Sequence, residues 1–207
     1  MVDIKAVIFD LGGVVLDSPM EILADVEKNH GLEPNFINRL IVGSGPQGAW
    51  ARLERGEIPM EDFFDAFDRE IQSAGADISS REIMGAINNY LRVRPEMLDV
   101  IRQIRKSGIL TAALTNNWVA DDEISSLLSD FKKEFDVFVE SSREGLAKPD
   151  PRIYKRVLEK LGVAPEEAVF LDDIGRNLKP ARKMGMITIK VVSVKDALAQ
   201  LKTMLHM

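Results

Sequence analysis

Four short runs hold the residues able to do chemistry in this chain of 207 residues: Asp10 ahead of Leu11-Gly12-Gly13, the polar run Thr115-Asn116-Asn117, Lys148 within Lys148-Pro149-Asp150-Pro151, and the acid pair Asp172-Asp173. A carboxylate such as Asp10 can accept a phosphoryl group, splitting one difficult hydrolysis into two displacements. Asp173, with Asp172 beside it, would complete with Asp10 the small carboxylate set that suits Mg²⁺. This hard cation is usually held by one or two carboxylates, waters and phosphate oxygens. It would also screen the repulsion between an anionic nucleophile and an anionic phosphate. Lys148 brings a point positive charge on a long stem, suited to phosphate oxygens and to Asp10 alike. Thr115 offers a hydroxyl, and Asn116 with the backbone N–H groups after it can cradle a phosphoryl oxygen. Taken singly, each has a plain structural reading: a turn-forming Asp, an acid pair capping the next helix, a solvated lysine, a cap at a strand end. What singles them out is their order along the chain, with each at or just beyond the end of a predicted strand.

The elements that must position them follow from the apolar pattern. Residues 4–9 are almost continuously apolar, as a central parallel strand should be, and further strands are predicted over 109–114, 137–140, 168–171 and 186–192. Helices fall between them. One runs from Pro95 to a stop at Gly108, with Leu98, Ile101 and Ile104 on one face; one covers 122–128, where Asp121-Asp122-Glu123 suits a helix N-terminus. Another runs from Pro151 to Gly162 with Ile153, Val157, Leu158 and Leu161 inward, and a fourth covers 178–184 before Gly185. This alternation implies an α/β fold, a Rossmann-like parallel sheet with helices on both faces and the chemistry beyond the strands' carboxyl ends. Residues 18–94 differ. They carry only helical spacing, over 22–29, 60–71 (Phe63, Phe64, Phe67, Ile71) and 80–91, broken by Gly43-Ser44-Gly45-Pro46 and Arg55-Gly56-Glu57-Ile58-Pro59. The expected organisation is a core domain of 1–17 and 95–207 with a helical insertion of 18–94.

A net charge of −6 argues against a nucleic-acid-binding surface, which normally shows a basic stripe. The absence of cysteine excludes disulfides, thiolate metal sites and a cysteine nucleophile, and suits a reducing cytoplasm. No apolar run approaches membrane-spanning length, and no basic region precedes the first one, which Asp10 interrupts. The expected setting is therefore cytoplasmic, with a small-molecule substrate, no nucleic acid, no membrane, and a monomer or homodimer. His30 and His206 read as surface residues and the methionines as packing. Trp118 fits a pocket border or helix packing equally, and Trp50, beside the Gly-Ser-Gly-Pro turn, is the better pocket candidate.

The motif order resembles the haloacid dehalogenase-like (HAD) superfamily over essentially the whole chain, the insertion corresponding to a type 1 cap. More closely, the chain is similar to the N-terminal phosphatase domain of soluble epoxide hydrolases and to the phosphatase-like domain of acyl-CoA dehydrogenase family member 10 proteins. Leu114-Thr115-Asn116-Asn117-Trp118, Lys148-Pro149-Asp150-Pro151-Arg152-Ile153-Tyr154 and the run from Phe170-Leu171-Asp172-Asp173 to Arg182 carry that likeness. The resemblance implies Mg²⁺ as cofactor, with Asp10 as nucleophile and metal ligand, and Gly12 giving its backbone carbonyl to the metal. It further implies Asp173 as the second carboxylate ligand with Asp172 supporting, Thr115 and Asn116 on the phosphoryl group, and Lys148 stabilising charge. The implied substrate is a small phosphorylated metabolite such as a sugar phosphate. Epoxide hydrolysis and dehydrogenation are not expected of these residues.

One departure stands out. Phosphatases of this family usually carry a second Asp where this chain has Gly12, serving as general acid and then general base, help typically worth about 10²–10⁴-fold. A glucose-1-phosphate phosphatase subgroup shares the Asp-Leu-Gly pattern, so turnover is still expected but slow, with anomeric or acyl phosphates suffering least. The rival readings are a metal-independent 2-haloacid dehalogenase, against which the paired acids argue, and a catalytically impaired binding protein of the same fold.

Overall fold

The structure is a computed structural model and describes residues 3–118 and 131–207. Its frame is a five-stranded, wholly parallel sheet made of β1 (Ala6–Phe9), β2 (Leu110–Thr115), β3 (Val137–Glu140), β4 (Ala168–Asp172) and β5 (Ile187–Lys190), in the order β3-β2-β1-β4-β5. Alternate side chains of the central strand serve opposite faces, as strand geometry requires. Val7 and Phe9 join the cluster that contains Met97, Val100, Ile101 and Ile104 of helix α6 (Pro95–Lys106) and Leu201 of helix α10 (Val194–Leu205). Ala6 and Ile8 join the opposite one, with Ile153, Tyr154 and Val157 of α8 (Pro151–Leu161), which follows the single-turn α7 (Ser141–Glu144), and Leu178 of α9 (Gly175–Lys183). The sheet is thus buried on both faces, and the near-continuous apolar character of its strands follows.

The α/β expectation holds, with two local differences. The last helix, α10, was not expected; Ser193 opens it by accepting from Asp196 N (3.4 Å), and Ala197 and Leu201 repeat at helical spacing. Helix α9 begins at Gly175 rather than 178. The predicted helix over 122–128, with its acidic N-terminus, lies outside the described residues.

Between β1 and α6 the chain forms five helices: α1 (Pro19–Asn29), α2 (Phe36–Gly43), α3 (Ala49–Glu54), α4 (Met60–Ser73) and α5 (Ser80–Tyr90). They enclose a hydrophobic cluster of their own, centred on the fully buried Ile37, Phe63, Phe67, Ile71 and Ile83. Helices α2 and α3 escaped the sequence reading because their starts are secured from other helices. Buried Glu27 of α1 accepts from Asn35 N (2.7 Å) and Ile37 N (2.9 Å), while Glu70 of α4 accepts from Ala49 N and the Ser44 hydroxyl (both 2.8 Å). Orphan N–H groups at a helix start need such acceptors, and here they arrive through tertiary structure. The segment leaves and rejoins the core side by side. Asp17 N donates to Arg92 O and Arg94 N to Val15 O (both 2.9 Å), around an antiparallel bridge between Leu16 and Val93.

Phe67 touches Phe63 (ring centroids 5.3 Å apart) and Trp50 (5.6 Å) with no exposure. Phe67→Ala is expected to cost about 3–5 kcal/mol in urea unfolding; a loss below about 1 kcal/mol would mean that this cluster is not a packed core.

Candidate active site

The sheet order reverses direction at β1, since the chain builds outward to β2 and β3 on one side and then to β4 and β5 on the other. The crevice between β1 and β4 is therefore where an open α/β sheet receives a ligand. Asp10 N still bonds to Leu171 O (2.9 Å), continuing the ladder by one residue. The backbone then swings into a wide single turn, Leu11–Val15, closed by Leu16 N to Leu11 O (2.8 Å). The buried Asp10 is left facing the end of β4, with Oδ1 accepting from Leu11 N (2.7 Å).

Lys148 lies between the two strand ends. Its ammonium is 2.7 Å from Asp10 Oδ2 and 2.7 Å from Asp172 Oδ2, and its side chain has no exposure, so the solvated-lysine reading is excluded. Asp172 is saturated: Ile174 N donates to Oδ1 (2.8 Å) and the Asn177 amide to both oxygens (3.1 Å). Asp173 is not, because its buried Oδ1 has no partner among the described residues.

The charges do not balance. Asp10, Asp172 and Asp173 converge, each offering an oxygen within 4.8 Å of the others', yet a single buried ammonium faces them. Burial pushes the Asp10 carboxyl well above the ordinary carboxylate value and Asp172 and Asp173 add to the push, against the opposing pull of Lys148. Burial also raises Asp173 to about 6, again with help from Asp172. Lys148 is opposed by burial, but the two carboxylates beside it hold it above its usual value. An unpartnered carboxylate oxygen in a cluster short of positive charge is what a divalent cation would complete, and hard oxygen donors are the right chemistry for Mg²⁺. Gly13 shapes the same spot. Its φ is +75°, and a Cβ there would stand 2.2 Å from Asp173 Oδ2. Gly13 O in turn accepts from Arg94 (3.0 Å).

Thr115 ends β2 and is buried, its hydroxyl 3.4 Å from Asn116 O, and it is not among the residues that line the pocket at Asp10. The Asn116 side chain is engaged within the protein: Oδ1 accepts from Lys148 N (2.8 Å), and Nδ2 donates to Lys148 O (3.1 Å) and to Glu54 Oε2 (3.3 Å). It orients the lysine, and just beyond it the Asn117 N–H donates to Ser141 Oγ (2.9 Å). Gly12 has an ordinary negative φ, but a Cβ there would lie 3.2 Å from the Pro19 ring. Asp10, Gly12, Asn116, Lys148 and Asp173 line a pocket of about 150 Å³, roofed by Trp50, Glu54 and Trp118. Trp50 meets Trp118 edge-on (5.9 Å), so Trp118 both borders the pocket and packs. His30 and His206 are exposed, as expected.

Glu54, Arg176 and Asn177 also line the pocket and were not singled out in the sequence. Asn177 was legible only as part of the run after Asp173, and nothing local marks Glu54, a charged residue at the end of a six-residue helix.

Comparison with known proteins gives a consistent result. The model of the haloacid dehalogenase-like hydrolases matches residues 4–185. The chain is 39% identical to acyl-CoA dehydrogenase family member 10 of Mus musculus over 204 residues, covering 97% of this chain and 19% of that protein. It is 34% identical to bifunctional epoxide hydrolase 2 of Sus scrofa over 212 residues, covering 96% and 38%. The chain thus spans well under half the length of these two relatives. A relative of similar length, at 27% identity over 201 residues (94% and 92%), is a sesquiterpene phosphatase of Aspergillus oryzae. Among solved structures, an enzyme from Bacteroides thetaiotaomicron, described as a complex with magnesium and inorganic phosphate, superposes with a TM-score of 0.64 at 26% identity, covering 90% of this chain and 93% of that one.

Gly13→Ala should be markedly less stable than Gly31→Ala in chemical denaturation. Both glycines have positive φ (+75° and +63°), but only at Gly13 would the new Cβ meet another group, the Asp173 carboxylate. The left-handed backbone costs each roughly 1–2 kcal/mol, so equal losses would show that Gly13 does not cradle Asp173.

Proposed function

Because the chain belongs to the haloacid dehalogenase-like hydrolase family, we propose that it is a Mg²⁺-dependent phosphatase acting on a small phosphorylated metabolite, a sugar phosphate or a similar phosphomonoester, through an aspartyl-phosphate on Asp10. The observation that carries this reading is the unpartnered Asp173 oxygen in a cluster of three carboxylates and one buried lysine. Mg²⁺, held by Asp10, the Gly12 carbonyl and Asp173 with Asp172 in support, would neutralise charge on the phosphoryl oxygens.

In the first displacement the Asp10 carboxylate attacks phosphorus and the bond to the leaving oxygen breaks. Lys148 keeps Asp10 in position and opposes the charge that develops beside it. Its own orientation comes from Asp172 and from the two backbone bonds to Asn116. The Thr115 hydroxyl and the Asn116 backbone N–H receive the phosphoryl oxygens. In the second displacement water attacks the aspartyl-phosphate and returns Asp10 to its carboxylate. Gly12 supplies no proton to the leaving oxygen, so the core alone favours leaving groups of low pKa.

Residues 18–94 act in this reading as a cap over a core of 1–17 and 95–207, closing on the substrate and excluding water. Trp50 and Glu54 are the cap residues that meet the pocket. A cytoplasmic setting accords with the cysteine-free composition; among the described residues no helix is long and apolar enough to cross a membrane. The haloacid dehalogenase alternative leaves the buried carboxylates uncompensated, since that chemistry uses the same nucleophile without metal.

The test is phosphate release from a panel of phosphomonoesters with Mg²⁺ and with a chelator. Turnover should require Mg²⁺ and fall by roughly 10³-fold or more in Asp10→Asn. Undiminished turnover in that variant, or chelator-insensitive halide release from 2-haloacids, would overturn the reading.

A further inference from the structure

We propose that Glu54 of α3 donates the proton to the leaving oxygen and accepts it back from the hydrolytic water, the task that Gly12 cannot perform. This inference rests on the phosphatase reading above and concerns a residue outside the motif set.

The geometry begins with the cavities. The inner pocket of about 150 Å³ holds Asp10, and an outer cleft of about 570 Å³ lies over the same side of the molecule. Glu54 lines both, together with Trp50, Lys148 and Arg176. A phosphomonoester whose phosphoryl group sits at Asp10 must extend past this boundary into the cleft. Its bridging oxygen, the atom that needs a proton, then lies where the two cavities meet.

The contacts of Glu54 do not explain it as a fastener. Trp50 Nε1 donates to Oε1 at 3.2 Å and Asn116 Nδ2 to Oε2 at 3.3 Å, both long for bonds to a carboxylate. Asn116 is already secured by its two bonds to the Lys148 backbone. A carboxyl group has roughly four lone-pair sites, and two weak bonds leave capacity for a substrate. The groups that act on it are Lys148 and Arg176 from the core and Arg55, the residue after α3, which is already paired with Glu57 (2.6 Å). Burial of its carboxyl raises Glu54 above the ordinary carboxylate value, against the lowering effect of Trp50, Lys148, Arg176 and Asn116. That is the direction a proton donor working near neutrality requires.

The step balances. As the Asp10 oxygen bonds to phosphorus and the bridging P–O bond breaks, the Glu54 proton moves to the leaving oxygen, which departs as a neutral alcohol. In the return step Glu54 carboxylate takes a proton from the attacking water, the Asp10–phosphorus bond breaks, and inorganic phosphate leaves with Glu54 protonated again. One residue serves both steps because water enters from the side the alcohol left.

The experiment compares wild type, Glu54→Gln and Glu54→Asp in rapid-quench assays that follow phosphorylation of Asp10. One substrate is 2,4-dinitrophenyl phosphate, which needs no protonation; the other is a simple alkyl phosphate. In Glu54→Gln the activated ester should give a burst of about one dinitrophenolate per site at a rate within tenfold of wild type, followed by slowed turnover. Phosphorylation by the alkyl ester should fall about 10²–10³-fold, with partial recovery in Glu54→Asp. If phosphorylation falls equally for both esters, or for neither, Glu54 is not the acid although the phosphatase reading stands. If wild type phosphorylates Asp10 with neither ester, that reading fails and this inference with it.

Discussion

The contact on which the rest of the site depends is the ammonium of Lys148, 2.7 Å from both Asp10 and Asp172 and without solvent. Buried charges are costly unless paired and hydrogen-bonded, and every neighbouring element contributes to meeting that condition. Asn116 bonds the lysine backbone on two sides, while Asn177 and Ile174 N complete Asp172. Strands β1, β2 and β4 are thereby linked by a polar core at their carboxyl ends, as they are linked by apolar side chains beneath. Two oxygens are left out of this satisfaction among the described residues, Asn177 Oδ1 and Asp173 Oδ1, and of these only the Asp173 oxygen belongs to an acid, whose position Gly13 creates by having no side chain. Saturating one acid of the pair and sparing the other separates a structural role from a binding role within two adjacent residues.

The helical segment is attached to that polar core at few points. Its entry and exit strands pair around Leu16 and Val93, its Trp50 meets Trp118 edge-on, and its Glu54 reaches Asn116 through a long bond. Its hydrophobic cluster is otherwise its own, apart from partly buried Leu91 and Trp118 at the margin. Gly56 also packs closely on Ser142 O and Arg94 donates to Gly13 O, and a body with a core of its own can still shift relative to its base without unfolding. The Trp50 and Glu54 contacts lie over the pocket, so such a shift would alter access to Asp10 directly.

Much of the core was legible because its signals are local. The apolar run before Asp10, the Pro151 start and Gly162 stop of α8, and the strand before Asp172 each carry their own period and punctuation. Helices α2 and α3 were not legible, because Glu27 and Glu70 supply their N-terminal acceptors from a distance. Helix α10 is readable from Ser193, Ala197 and Leu201, beyond the last strand that the apolar pattern predicts. In the site, the motif residues could be found by type and order. The engagement of the Asn116 side chain could not, since it depends on the backbone of a residue 32 positions away. Glu54 had no motif to announce it and is significant only through what α3 is packed over.

Gly12 and Glu54 are best understood together. An Asp at position 12 would bring its Cβ to 3.2 Å from the Pro19 ring, and Pro19 is the first residue of α1, where the helical segment begins. The Cβ of a core-borne acid would thus press on the ring that begins α1, which would have to give by a few tenths of an ångström. The helical segment returns a carboxyl group to the same pocket from above. If residues 18–94 close over the core as proposed, the exchange has a mechanical consequence. An acid borne on the core stands beside Asp10 whether the cleft is open or closed, whereas an acid borne on α3 arrives only with the helices themselves. Proton transfer would then be tied to closure, and a phosphoryl group captured on Asp10 would meet its water only in the conformation that also holds the proton acceptor.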